Sequence, residues 1–339
     1  MKYKIKIVLI LILFFILAQL IGIYVTYSYR ENFYKEEIKK NISEKINETE
    51  SKINISEEGK NISLTREIIP ERIEIKTKID ILQIIISFLI AIVIATAIFI
   101  LFMKIGIIRI IRFWFFVVFL IGLFISFSLI LINISKKEIS LGGINVKIAE
   151  IFALVIAILI AYFKTYRRDV IIHNLSEIFI YPGIVILFLP LVNIYVAIIL
   201  LIIISVYDVI AVFKTKHMQK MAEFMIKDLK TFTGFFMPWL DRKEMEKIKK
   251  IKGKKTKLKK IKVNIAALGG GDIALPMLFI CNVFLVYGIK SALVTLLFTT
   301  FGLLLLLIFG KRGKAYPALP PLTIGAIIGY VISLLFKLS

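Results

Sequence analysis

Two aspartates stand by themselves in strongly apolar surroundings, Asp208 within IISVYDVIAVF and Asp272 within AALGGGDIALPML. Neither run contains a Lys, Arg or His. A carboxylate in such surroundings is costly unless it is neutralised or paired. Held side by side, two carboxyls share one proton, because ionising the first opposes ionising the second. Such a pair can take a proton from water with one carboxylate and hydrogen-bond a carbonyl oxygen with the other carboxyl, the hydrolytic chemistry of aspartyl proteases. Other chemistries lack their residues. Cys281 is the single cysteine and lies in an apolar run, which leaves neither a disulfide framework nor a thiolate metal site. His173 and His217 are the only histidines, and neither has a second ligand at metal-binding spacing. We therefore expect no metal and no cofactor.

The elements that must position the acids are membrane helices. Of 339 residues, 59% are hydrophobic, and the mean hydropathy of +0.89 exceeds what a soluble domain can bury. Windows of about 20 apolar residues match a bilayer core of about 30 Å. Nine such spans are expected, at 5–27, 81–103, 113–133, 144–163, 176–191, 193–213, 264–284, 289–310 and 319–337. The fifth is the weakest, since Pro182 and Pro190 interrupt it, although membrane helices tolerate proline. The organisation is then a first span (1–27), an exported polar loop (28–80), spans two to six (81–213), a basic loop (214–263) and spans seven to nine (264–339). The first span is basic-flanked, but its apolar stretch is long for a signal peptide and no A-x-A cleavage site follows. We read it as a retained anchor.

Charge sets the orientation. The net charge of +22 is gathered between spans rather than on a folded basic face, which argues against nucleic acid as a partner. Segment 214–263 holds 17 Lys/Arg against 5 acidic residues, whereas 28–80 holds 11 against 12. Short basic turns after spans two, four and eight lie on the same side as 214–263. The positive-inside rule puts that side, and the amino terminus, in the cytoplasm of a multi-pass cell-membrane protein whose carboxyl terminus lies outside. Segment 28–80 also carries N-x-S/T sequons at Asn41, Asn47, Asn54 and Asn61, acceptors only on the exported side. Within 214–263, the aromatic TFTGFFMPWL (231–240) is expected at the membrane surface, and KIKKIKGKKTKLKK (247–260) against anionic lipid.

On this topology spans six and seven are antiparallel neighbours. Asp208 lies about 8 Å from the cytoplasmic end of one, and Asp272 about 12 Å from that of the other, at a rise of about 1.5 Å per residue. The depths match even if the orientation is inverted. Gly269, Gly270 and Gly271 remove side chains beside Asp272. They either allow close helix packing or loosen the helix so that an extended substrate can lie alongside. In YPALPPL (316–322), Pro317, Pro320 and Pro321 are expected to forbid a regular helix and leave extended backbone.

Taken in order, YD at 207–208, GGGD at 269–272 and PALP at 317–320 resemble the presenilin and signal peptide peptidase family, most of all an archaeal presenilin homologue. The resemblance covers the chain from about residue 176 onwards. It implies an all-α polytopic fold of nine transmembrane helices and an intramembrane-cleaving aspartyl endopeptidase, with Asp208 and Asp272 as the catalytic pair. Tyr207, the three glycines, Pro317, Ala318 and Leu319 are its implied substrate-binding or supporting residues. Tyr207 would orient or desolvate the pair, and Leu319 would offer a strand edge to an unwound substrate. Gly270 stands where presenilins usually carry leucine. The charge bias favours the presenilin orientation over the inverted one of signal peptide peptidases. The implied partners are the lipid bilayer and membrane-spanning substrate helices.

Two other readings compete. Prepilin and preflagellin peptidases share G-x-G-D, but usually follow it with Lys and lack PALP, and they cut at the cytoplasmic boundary. A non-enzymatic ion or proton pathway also uses paired intramembrane carboxylates. No inverted repeat is evident here, and the two acids sit on adjacent spans.

Overall fold

Runs of Ile, Leu, Val and Phe satisfy their backbone polar groups without water only as helices, and helices build the fold. The computed structural model describes residues 5–34, 78–134, 138–141, 144–167, 169–215, 221, 224–225, 229, 232–239, 264–310 and 316–337. In chain order the elements are α1 (Ile5–Tyr29), α2 (Lys78–Ile105), α3 (Ile108–Leu131), β1 (Glu138–Leu141), β2 (Ile144–Lys147), α4 (Ile148–Tyr166), α5 (Val170–Phe188), α6 (Ile194–Ile210), β3 (Gly234–Trp239), β4 (Asn264–Gly269), α7 (Gly270–Phe309) and α8 (Leu319–Leu335). Seven of the helices are long and apolar enough to cross a membrane, and α8 is a shorter apolar helix. The four sequons and the lysine run at 247–260 lie outside the described residues.

The order of the spans is as expected, with four corrections. Residues 144–147 and 264–269, assigned to the starts of two spans, are strands instead. β2 pairs with β1, and β4 pairs antiparallel with β3, Gly234 opposite Gly269 and Trp239 opposite Asn264. The weakest expected span is a regular helix beginning six residues earlier, at Val170, with Pro182 inside it. Asp169 opens this helix by accepting from the amides of Ile171 and Ile172, at 2.7 and 3.2 Å, which supplies the missing start signal. The expected surface segment 231–240 is largely β3. Its Phe235 is fully buried and packs 5.5 Å from Phe14 of α1. YPALPPL does not stay extended. Leu319 opens α8 with the prolines behind it in the first turn, where a missing N–H leaves nothing unpaired.

α7 has 40 residues, about 60 Å if straight, or twice a bilayer core. It is not straight. Gly288, at φ 84° and ψ −175°, breaks it into two limbs, a conformation that L side chains avoid. The limbs run in opposite directions along α8. Tyr330, late in α8, meets Phe279 edge-on and Tyr287 at a tilt, both in the first limb. In the second limb Gly302 abuts Pro321, early in α8, while Thr295 abuts Gly329.

The main core is formed by α1, α5, α6, α7 and α8. α2 stands at its edge, with Ile86, Ile90, Val93, Ile94 and Leu101 all exposed, a surface suited to lipid. Small residues set the closest crossings. A Cβ on Gly183 of α5 would collide with the backbone of Gly122 in α3. Gly183→Leu is therefore expected to lower stability by about 3 kcal/mol, the upper end for overpacking, measured as reduced resistance of the purified protein to denaturant unfolding.

Candidate active site

Asp208 lies two residues from the end of α6 and is 4% exposed. The helix then widens into a π turn, Ala211–Thr215, a local distortion common at functional sites. The carboxylate of Asp208 accepts a hydrogen bond from the Leu319 amide at 3.2 Å, and the Ala318 amide also points to it. These are amides of the first turn of α8, which a helix leaves without internal partners. PALP thus presents backbone donors to an acid 111 residues earlier in the chain.

Asp272 is 8% exposed and occupies the third position of α7. It reaches back to accept from the Gly269 amide at 3.2 Å, one half of a capping box, the half that a glycine at the N-cap allows. Gln19 of α1, fully buried, donates to the Ile273 carbonyl at 3.1 Å and pins the same turn. The carboxyl groups of Asp208 and Asp272 are close enough to interact electrostatically.

The three glycines have distinct surroundings. A Cβ on Gly269 would lie 3.0 Å from the Asp272 carboxylate, and one on Gly270 would lie 2.7 Å from the Tyr181 hydroxyl. One on Gly271 would meet open space. Behind this turn, α5 grips β3. Asn174 donates to the Phe236 carbonyl and accepts from its amide, both at 2.8 Å, as a neighbouring strand would. His173 Nε2 lies 2.8 Å from the Gly234 carbonyl. β3 is thereby closed on one edge by α5 and on the other by β4, while β4 has no partner on its far edge among the described residues.

Two expectations for supporting residues change. Tyr207 is 41% exposed and faces outwards, because one residue along a helix turns the side chain by about 100° from Asp208. It does not desolvate the acids. Leu319 is buried and its amide serves Asp208, so it does not offer a free strand edge. Sequence reasoning missed Gln19, Asn174 and Tyr181. The signal for the last was present, since His173, Glu177 and Tyr181 recur every fourth residue on one face of α5. Among the described residues no group of His, Cys, Asp and Glu is gathered to hold a metal ion.

This arrangement can be set beside known proteins. The chain is similar to two solved structures, each described as a presenilin family intramembrane aspartate protease. For the one in space group C222 the TM-score is 0.57 at 16% identity, covering 97% of this chain and 99% of the other. For the one in space group P2 the TM-score is 0.55 at 15% identity, covering 96% of each. No curated protein matches. The family model described as signal-peptide peptidase, presenilin aspartyl protease matches residues 72–338, from the start of α2 to the end of α8. The chain belongs to the signal-peptide peptidase and presenilin family of intramembrane aspartyl proteases.

Proposed function

We propose that Asp208 and Asp272 hold one water between them and hydrolyse peptide bonds within transmembrane helices. One carboxylate takes the water proton. The other, protonated, hydrogen-bonds the scissile carbonyl, so that a tetrahedral gem-diol forms without a covalent enzyme intermediate. The pair shares its proton, and neither role belongs to one residue. The observation that supports this reading is that each buried acid is seated by a backbone amide, Asp208 by that of Leu319 and Asp272 by that of Gly269.

A helix conceals its carbonyls, so the substrate must open locally before attack. The edge of β4 that has no partner among the described residues runs directly into Gly269, with open space beside Gly271. An extended segment paired there by β-augmentation would lie next to Asp272. Counting each limb of α7 as a crossing, and α8 as another, gives the nine spans of our topology, with the amino terminus and 214–263 in the cytoplasm.

The test is incubation of the purified protein with a panel of single-span helices, followed by mass spectrometry of the fragments. Cuts inside the apolar span, a few residues from its cytoplasmic end, are the expected result. Cuts confined to the basic flank outside the span would instead indicate a boundary peptidase of the prepilin type.

A further inference from the structure

Lys164, near the end of α4, is buried completely with Glu177 of α5, their charged atoms 2.5 Å apart. The ammonium also lies 3.1 Å from His173 Nδ1 and 4.5 Å from the centre of the Phe119 ring. Its charge is thus met on several sides without water. Only Oε1 of Glu177 is used. Among the described residues Oε2 is buried with no hydrogen-bond partner, and the Tyr181 hydroxyl, one turn further along α5, is buried and equally unpartnered. The two are complementary, an acceptor and a donor at i and i+4, and they interact electrostatically. Tyr181 thereby continues the Lys164–Glu177 pair towards α7, where its hydroxyl fills the space beside Gly270.

Gly270 is the first residue of α7 and Asp272 the third. Displacing that turn would pull the Asp272 carboxyl off the Gly269 amide and away from Asp208. We propose that Tyr181, seated by Glu177 and Lys164, is a positioning residue for Asp272, and that Gly270 lacks a side chain because the Tyr181 hydroxyl occupies its place. The proposal rests on the reading of Asp208 and Asp272 as the catalytic pair. A tyrosine that merely filled the core would be replaced by phenylalanine without consequence for turnover.

The test is a double-mutant cycle on the full-length purified protein, with kcat and KM measured on a cleaved single-span reporter. Tyr181→Phe is expected to lower kcat about tenfold with KM within about twofold, and Gly270→Ala to lower it about a hundredfold, as for contacting residues that couple strongly. In the Tyr181→Phe background, Gly270→Ala should cost at least about fivefold less than in the parent, because the nearest contact, the hydroxyl at 2.7 Å, is gone and only the milder approach to the ring carbons at 3.1 and 3.2 Å remains. Equal fold losses in both backgrounds would overturn the proposal, as would an unchanged kcat for Tyr181→Phe. Thermal midpoints of all four proteins separate misfolding from positioning. Coupling in the midpoints without coupling in kcat would also overturn it. Asp272→Asn tests the underlying reading independently, since cleavage above about a thousandth of the parent rate there removes the dyad whatever the cycle reports.

Discussion

Asp208→Asn and Asp272→Asn each lower cleavage of a reporter span by about 10⁴-fold, the upper range for loss of a general acid–base group, while the protein stays folded. Asparagine is the informative replacement because it keeps the shape and the accepting oxygen. In Asp208→Asn the amide oxygen still receives the Leu319 N–H, and in Asp272→Asn it still receives that of Gly269. What disappears is the shared proton and the ability to take one from water. Alanine at 272 would also remove the bond that Asp272 accepts from the Gly269 amide, and would confuse two effects. Two buried acids facing each other oppose folding. The asparagine variants are therefore expected to unfold at the same temperature as the parent or higher, a stability gained at the expense of function. Turnover above about a thousandth of the parent rate in either variant contradicts the assignment.

The second large effect concerns the pair remote from the reaction. Glu177→Leu leaves the Lys164 ammonium buried with no carboxylate, and is expected to destabilise the protein by about 3–5 kcal/mol. Replacing both partners, Lys164→Met with Glu177→Leu, removes the uncompensated charge and should recover most of that loss. Unfolding in mixed micelles at graded denaturant measures both. If the single variant is as stable as the parent, Lys164 reaches water or loses its proton easily, and the buried pair is not a fastening between α4 and α5. Charges within membrane helices are seldom retained for stability alone. Here the pair fixes the rotational setting of α5, whose other contacts reach β3 through His173 and Asn174 and the α7 turn through Tyr181.

The acids and the helices that carry them were legible because their signals are local. An isolated Asp in an apolar run is conspicuous, and uninterrupted Ile and Leu mark a helix wherever it packs. Gly269 to Gly271 suggest in sequence either close helix packing or a loosened helix, yet they form a junction between strand and helix. The strand, NIAALG, has no polar alternation to reveal it, and its partner GFFMPW lies across residues 240–263. Pairing at that separation leaves no trace in either segment's composition. Gly288 falls between the expected spans 264–284 and 289–310. Its positive φ makes it the bend of one long helix, a conformational fact that YGIK does not announce. The prolines of YPALPPL were misjudged because proline breaks a helix interior but suits its first turn, and composition does not say where a helix begins. Tyr207 was favoured by adjacency to Asp208, although neighbours on a helix point apart. Tyr181, 27 positions from the nearer acid in sequence (208 − 181), reaches the site only through packing.

The pairing of Trp239 with Asn264 brings the two ends of residues 240–263 side by side. Joining ends that already touch adds little to the order of the fold. What binds the part before this segment to the part after it is the β3–β4 ladder, the Leu319 bond to Asp208 and the burial of α7 against α1, α5 and α6. Two polypeptides split within 240–263, each contributing one aspartate, are therefore expected to co-purify as one folded unit.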